Sequence, residues 1–177
     1  RKEAERKQKE LQAFWQSTMD SLTSHLAVLD ENAAIIAVNS SWRQFADEND
    51  IAWNDYGVGA NYLGITEKAS GESIEGKQEA AAGIRKLLNE ETDSFGMEYP
   101  CHSPEEQRWF RLRGTCFRSP HGLRIVLAHE NITQRKLAEL DLQQALDDLR
   151  KTEQQVVDQE RHRALTTMAS GIAHDFN

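Results

Sequence analysis

From Ile132 to Arg163 the chain contains neither glycine nor proline. Within that stretch Leu142, Ala145, Leu149, Thr152 and Val156 recur at steps of three and four. Such a stretch is helix, and its apolar residues form the narrow seam of a seven-residue repeat. A single helix has nothing of its own to bury that seam against. The pattern therefore predicts a parallel two-stranded coiled coil with a second copy of the chain. With 177 residues in all, the rest can bury one ordinary core.

The excess polarity sits at the two ends. Residues 1–24 read as a second helix, with Leu11, Phe14 or Trp15, Thr18 and Leu22 at helical spacing behind an almost wholly charged start. That start, on Arg1 rather than Met, reads as a piece of a longer protein. A formal net charge of −8 argues against nucleic acid as a partner, because phosphate binding needs a basic face. No apolar run approaches the ~18 residues of a membrane span, and no secretory signal precedes the core. Cys101 and Cys116 fall far apart along the hairpin proposed below, so they read as structural thiols in a reducing cytoplasm. Cys101-His102 lacks the CxxC or HxxxH spacing of a metal site, and none is expected.

Between the end helices the period changes. His25–Asp30 and Ala34–Asn39 are short β-prone runs around Glu31-Asn-Ala33, a hairpin signal. Ser40 or Ser41 then caps a helix carrying Trp42, Phe45 and Ala46. Residues 51–72 read as irregular, with one turn at Ala60–Leu63. Ser73–Glu91 is a helix whose apolar side is Ile74, Ala80 or Ala81, Ile84, Leu87 and Leu88. Ser94–Cys101, Gln107–Phe117 and Leu123–Asn131 are three strands, joined by turns containing Ser-Pro. Two strands, helices and three strands close most simply as a five-stranded antiparallel sheet with helices on one face, an α+β domain.

This arrangement resembles the PAS sensory domain. Asp30-Glu-Asn-Ala-Ala-Ile-Ile-Ala-Val-Asn39 with Ser-Trp42 is similar to its opening strands. Val58-Gly-Ala-Asn-Tyr-Leu63 is similar to its Gly-x-Asn segment, and Tyr99–Phe110 to one of its hairpins. Glu130-Asn-Ile-Thr133 resembles the Asp-Ile-Thr exit motif. The resemblance divides the chain into a linker helix at 1–21, a PAS domain at 22–133, a coiled-coil helix at 134–163 and a terminal helix from 164 to 177. PAS domains hold haem, flavin, metabolites or nothing. The light-driven flavin adduct needs a cysteine where this chain has Tyr62, and a haem ligand is missing from the helix at 73–91, so both are disfavoured. A small-molecule cavity is the remaining candidate, with Trp42, Phe45, Tyr62, Tyr99, Trp109 and Arg111 as its residues. Arg111 and Arg113 alternate with Phe110 and Leu112. Either the arginine face is solvent, or an arginine points inward and would suit a carboxylate ligand.

The closing run Leu165-Thr-Thr-Met-Ala-Ser-Gly-Ile-Ala-His174-Asp175-Phe176-Asn177 lays Leu165, Met168, Ile172 and Phe176 on one helical face and His174 off it. It resembles the H-box of sensor histidine kinases of the His-Asp-Phe-Asn subtype. The resemblance implies that His174 is the phosphoacceptor and that Asp175 orients its ring or serves as general base. It further implies a homodimer, a response-regulator receiver domain as phosphoryl acceptor, and ATP with Mg2+ on a separate catalytic domain of the parent. No nucleotide site is visible in the chain, so the chain by itself is expected to be inactive. The alternative is a PAS dimerisation or ligand-binding module regulating another output, with no phosphoacceptor role.

Overall fold

The computed structural model describes residues 2–49, 54–68, 74–102 and 106–175, with the backbone alone at 67–68, 74–75, 167 and 169–175. Residues 1–133 form one compact unit and residues 134–177 a second.

The first unit begins with α1 (Lys2–Asp20), followed by strands β1 (His25–Leu29) and β2 (Ile35–Val38). Next come α2 (Ser40–Glu48), a 3-10 turn at Asn54–Gly57, α3 (Tyr62–Lys68) and α4 (Ile74–Leu88). Strands β3 (Ser94–Pro100), β4 (Trp109–Ser119) and β5 (Gly122–Asn131) complete it. All pairings are antiparallel, in the order β2-β1-β5-β4-β3. The first hairpin thus lies beside the last strand, and the helices between β2 and β3 cross from one sheet edge to the other. This is the α+β architecture that the strand order predicts, and it is the PAS fold.

Local chemistry sets the hairpins. The Asp30 carboxylate accepts from the Asn32 and Ala34 amides at 2.9 and 2.8 Å, closing the β1–β2 turn. Gly122, at φ +100°, supplies the left-handed residue at the β4–β5 turn, where a Cβ would meet the Glu31 carboxylate at 2.8 Å. One sheet face carries the main core: Leu29, Leu112, Ile125 and Leu127 pack with Ile84 and Leu87 of α4. Phe95 is wedged between helix and sheet, so a Cβ on Gly83 would lie 2.5 Å from its ring and one on Gly114 would collide with it. The opposite face carries a smaller cluster, Met19, Leu26 and Val28, flanked by Ala37, Val126 and Ala128.

Two expectations are corrected. The cap of α2 is Asn39, one residue before the serines. Its buried side chain accepts from the Leu26 and Trp42 amides and donates to the carbonyls of Met19, Leu22 and Ser24. Ser40 and Ser41 instead donate their hydroxyls to the Asp20 and Leu22 carbonyls. The helix expected at the start is α1, along which Leu11, Phe14 and Trp15 are exposed and Met19 is buried beside its end, where the Met19 carbonyl accepts from Asn39. Within the stretch read as irregular, 62–68 are helical, whereas 54–57 is a tight turn with Asp55 and Tyr56 in the left-handed region.

The last helix, α5 (Thr133–Asp175), runs 43 residues without a break, or about 65 Å at 1.5 Å per residue. Leu142, Leu149 and Val156 of the seven-residue repeat are all exposed in the single chain. No described helix is long and apolar enough to cross a membrane.

Candidate functional site

A cavity of about 260 Å³ opens between the sheet and the short helices. Trp42, Phe45 and Ala46 reach it from α2 at helical spacing, and Tyr62, Ile65 and Thr66 from α3. Tyr99 of β3, Phe110 of β4, His25 of β1 and His129 of β5 come from the sheet, and Cys101 lies just beyond β3.

The Gly-x-Asn segment explains how Tyr62 gets there. Gly59, at φ +86°, donates its amide to the Ile35 carbonyl at 2.8 Å, and the Ile35 amide returns a bond to Ala60 at 3.0 Å. The Asn61 side chain accepts from the Gly64 amide at 3.0 Å, capping α3, and donates to the Asn32 carbonyl at 2.7 Å. The Tyr62 amide donates to the Ala33 carbonyl at 2.8 Å. The first residue of α3 is thereby pinned to the β1–β2 turn with its ring in the core. On the sheet, alternation does the positioning: Phe95, Met97 and Tyr99 share the inner face of β3. Leu123, Ile125, Leu127 and His129 share that of β5, opposite His25 and Leu112 in register.

The polar centre is His129. Its Nε2 lies 2.9 Å from the Tyr62 hydroxyl and its Nδ1 lies 2.7 Å from the Tyr99 hydroxyl. Trp42 meets its ring edge-on at 5.7 Å, and Trp42 in turn donates Nε1–H to the Tyr56 carbonyl at 3.1 Å. Burial pushes the imidazole down to about 3, helped by the neighbouring His25, so His129 is neutral at every ordinary pH. His25, stacked on Phe45 at 4.6 Å, is also held below its usual value by burial, against a smaller opposing pull from Glu48. Burial raises both phenols far above the ordinary tyrosine value. The Thr66 side chain slightly offsets this at Tyr62, while Tyr62 and Cys101 add to it at Tyr99. The arrangement is an aromatic box with an uncharged hydrogen-bonding relay, suited to holding a molecule.

Four of the six expected pocket residues, Trp42, Phe45, Tyr62 and Tyr99, line this cavity. Arg111 and Trp109 do not. Phe110 and Leu112 occupy the inner face of β4, so the residues alternating with them turn outward. Arg111 pairs across the strands with Glu98 at 2.9 Å. Trp109 meets His102 edge-on at 5.0 Å and works at the domain exit. There its amide donates to the Thr133 hydroxyl at 3.0 Å, and its carbonyl accepts from the Ile132 amide at 2.9 Å. Asn131 caps the same corner by accepting from the Thr133 amide at 3.0 Å. Among the lining residues that the sequence did not assign to a cavity are His25 and His129, the latter near a strand end and readable as core or surface. The alternation of β5 carried the signal for His129.

Cys101 and Cys116 are both free thiols, and among the described residues no cluster of His, Cys, Asp or Glu could hold a metal ion. Helix α5 continues through His174 and Asp175, whose side chains lie outside the described residues, as do Phe176 and Asn177. Leu165 and Met168, the first two members of the stripe predicted there, are exposed.

No family model matches the chain. An uncharacterized 104.1 kDa protein in the hypE 3′ region of Rhodobacter capsulatus is 36% identical over 121 residues, which is 67% of this chain and 13% of that protein. The chain thus spans a small part of the length of this curated relative. Among solved structures, the PAS domain of an HTR-like protein from Haloarcula marismortui matches with a TM-score of 0.50 and 17% identity. The match covers 75% of this chain and all of that one. An RNA-binding Light-Oxygen-Voltage receptor matches with a TM-score of 0.55 and 10% identity, over 77% of this chain and 37% of that one. At these identities the likeness is one of fold.

Proposed function

We propose that this PAS fold is the sensory and phosphoacceptor part of a two-component sensor histidine kinase. Its cavity reads a small molecule, and its exit helix, paired with that of a second copy, carries the response to His174. The observation that carries this reading is the unbroken α5, which joins the exit corner at Trp109 and Thr133 to the His174-Asp175 sequence. Exposed apolar residues at Leu142, Leu149 and Val156 support a helical partner along the way.

In this reading a ring nitrogen of His174 attacks the γ-phosphorus of ATP, the bond to the β,γ-bridging oxygen breaks, and ADP leaves. The ATP and its Mg2+ are held by a catalytic domain of the parent, and a receiver-domain aspartate of a response regulator takes the phosphoryl group onward. Asp175 accepts a hydrogen bond from the other ring nitrogen and fixes the tautomer. The setting is cytoplasmic. Light-driven flavin chemistry is disfavoured, since Tyr62 stands at the cysteine position and occupies the relay.

The test supplies the parent's ATP-binding domain in trans with radiolabelled ATP. The expected result is one acid-labile, alkali-stable phosphate per chain, absent from His174→Gln. An ATP-binding domain that leaves the chain unlabelled would favour the second reading, a PAS module that regulates another output through the same helix. The exposed repeat of α5 is equally compatible with that role.

A further inference from the structure

The relay contains more protons than it uses. A neutral imidazole carries one N–H and one lone-pair nitrogen, so one phenol donates to the ring and the other receives from it. Tyr62, His129 and Tyr99 together own three such protons and spend two on the bonds at 2.9 and 2.7 Å. In either tautomer one hydroxyl proton is left over. On the Tyr62 side the Thr66 hydroxyl, which donates to the Tyr62 carbonyl at 2.9 Å, keeps lone pairs that can take it. The Tyr99 hydroxyl has His129 as its partner among the described residues, and in the tautomer with the proton on Nδ1 its own proton is available to a guest.

The walls restrict the guest further. None of the described lining residues is an acid, an arginine or a lysine. The burial that keeps His129 neutral and raises both phenols would oppose a charge on the guest equally. Arg111 is turned out to Glu98, and Arg108 lies over the Phe45 ring at 5.9 Å, where Asn49 and the Cys101 carbonyl engage it. The rings of Trp42, Phe45 and Phe110 offer π-faces. A dry apolar cavity of about 150 Å³ takes benzene, so 260 Å³ suits one to two fused rings and is too small for haem or a flavin with its tail.

We propose that the cavity binds an uncharged, flat molecule of one or two rings bearing a hydrogen-bond acceptor, read by the Tyr62–His129–Tyr99 relay. This rests on the reading of the cavity as the sensing site. The test compares three probes on a fused two-ring frame against the full chain by calorimetry: 2-quinolinone, naphthalene and 2-naphthoate. Quinolinone is expected to bind at least about tenfold tighter than naphthalene, with naphthoate below detection. Tyr99→Phe should erase that advantage, read as the ratio of quinolinone to naphthalene affinity within the same variant. If circular dichroism shows that variant unfolded, 15N NMR of the wild type gives the second readout: quinolinone, and not naphthalene, should fix His129 with its proton on Nδ1, the tautomer that frees the Tyr99 hydroxyl. Naphthoate binding as tightly as quinolinone, or an advantage that survives loss of the hydroxyl, would overturn the ligand class while leaving a ligand site. Failure of all three probes to bind would overturn the sensing site with it.

Discussion

Acid should weaken the PAS unit through one side chain. His129 titrates at about 3 in the folded chain and near 6.5 when unfolded. Between those values the unfolded state holds more protons, so stability is full above pH 6.5 and falls as pH drops toward 3. Integrated from pH 8 to pH 5, the loss from this group is about 2 kcal/mol, approaching about 5 kcal/mol once it is protonated in both states. Other groups also titrate, so the measurement is a difference. Urea unfolding is followed at pH 8 and pH 5 for the wild type and for His129→Gln, an uncharged side chain that still hydrogen-bonds. The wild type should lose about 2 kcal/mol more than the variant, or about 1 M in midpoint at a typical slope of about 2 kcal/mol/M. Equal losses would refute the reasoning, as would a His129 NMR titration centred near 6.5.

Asn39→Ala removes an N-cap and strips five hydrogen bonds from a buried corner, and should cost about 3 kcal/mol by chemical denaturation. Gly83→Ala drives a methyl into the Phe95 ring and should cost about 2 kcal/mol, with Phe95→Leu restoring most of it in a double-mutant cycle. In the full-length parent, inserting one residue near Gln155 turns the downstream helix by about 100°, whereas inserting seven keeps the repeat. Kinase output should change with the first insertion and survive the second.

The sheet was legible because each strand has a turn signal at its end and a period of two inside. The same alternation, followed one step past Leu127, reaches His129, but a histidine two residues from a strand end reads as peripheral until β1 is known to pair beside it. Arg111 was ambiguous for the opposite reason: two arginines alternate with two apolar residues, and only the register puts Phe110 and Leu112 inward. Helix α3 has seven residues, too few to show a period, and depends on the side chain of Asn61 reaching Asn32, 29 residues back. The cap of α2 was misplaced by one residue because Asn39, Ser40 and Ser41 are all good caps. The choice among them falls to the carbonyls left by the end of α1, a long-range fact.

In the proposed function, the state of the cavity controls His174. Ala46 is buried in the cavity wall, and Ala46→Leu would fill part of the space with methyl groups while keeping the lining apolar. The most direct measurement is the initial rate of His174 phosphorylation in the full-length parent, wild type against Ala46→Leu, at saturating ATP. A rate altered several-fold, with the fold and the KM for ATP unchanged, is the predicted result. Identical rates from a folded variant whose cavity no longer admits a probe would contradict it.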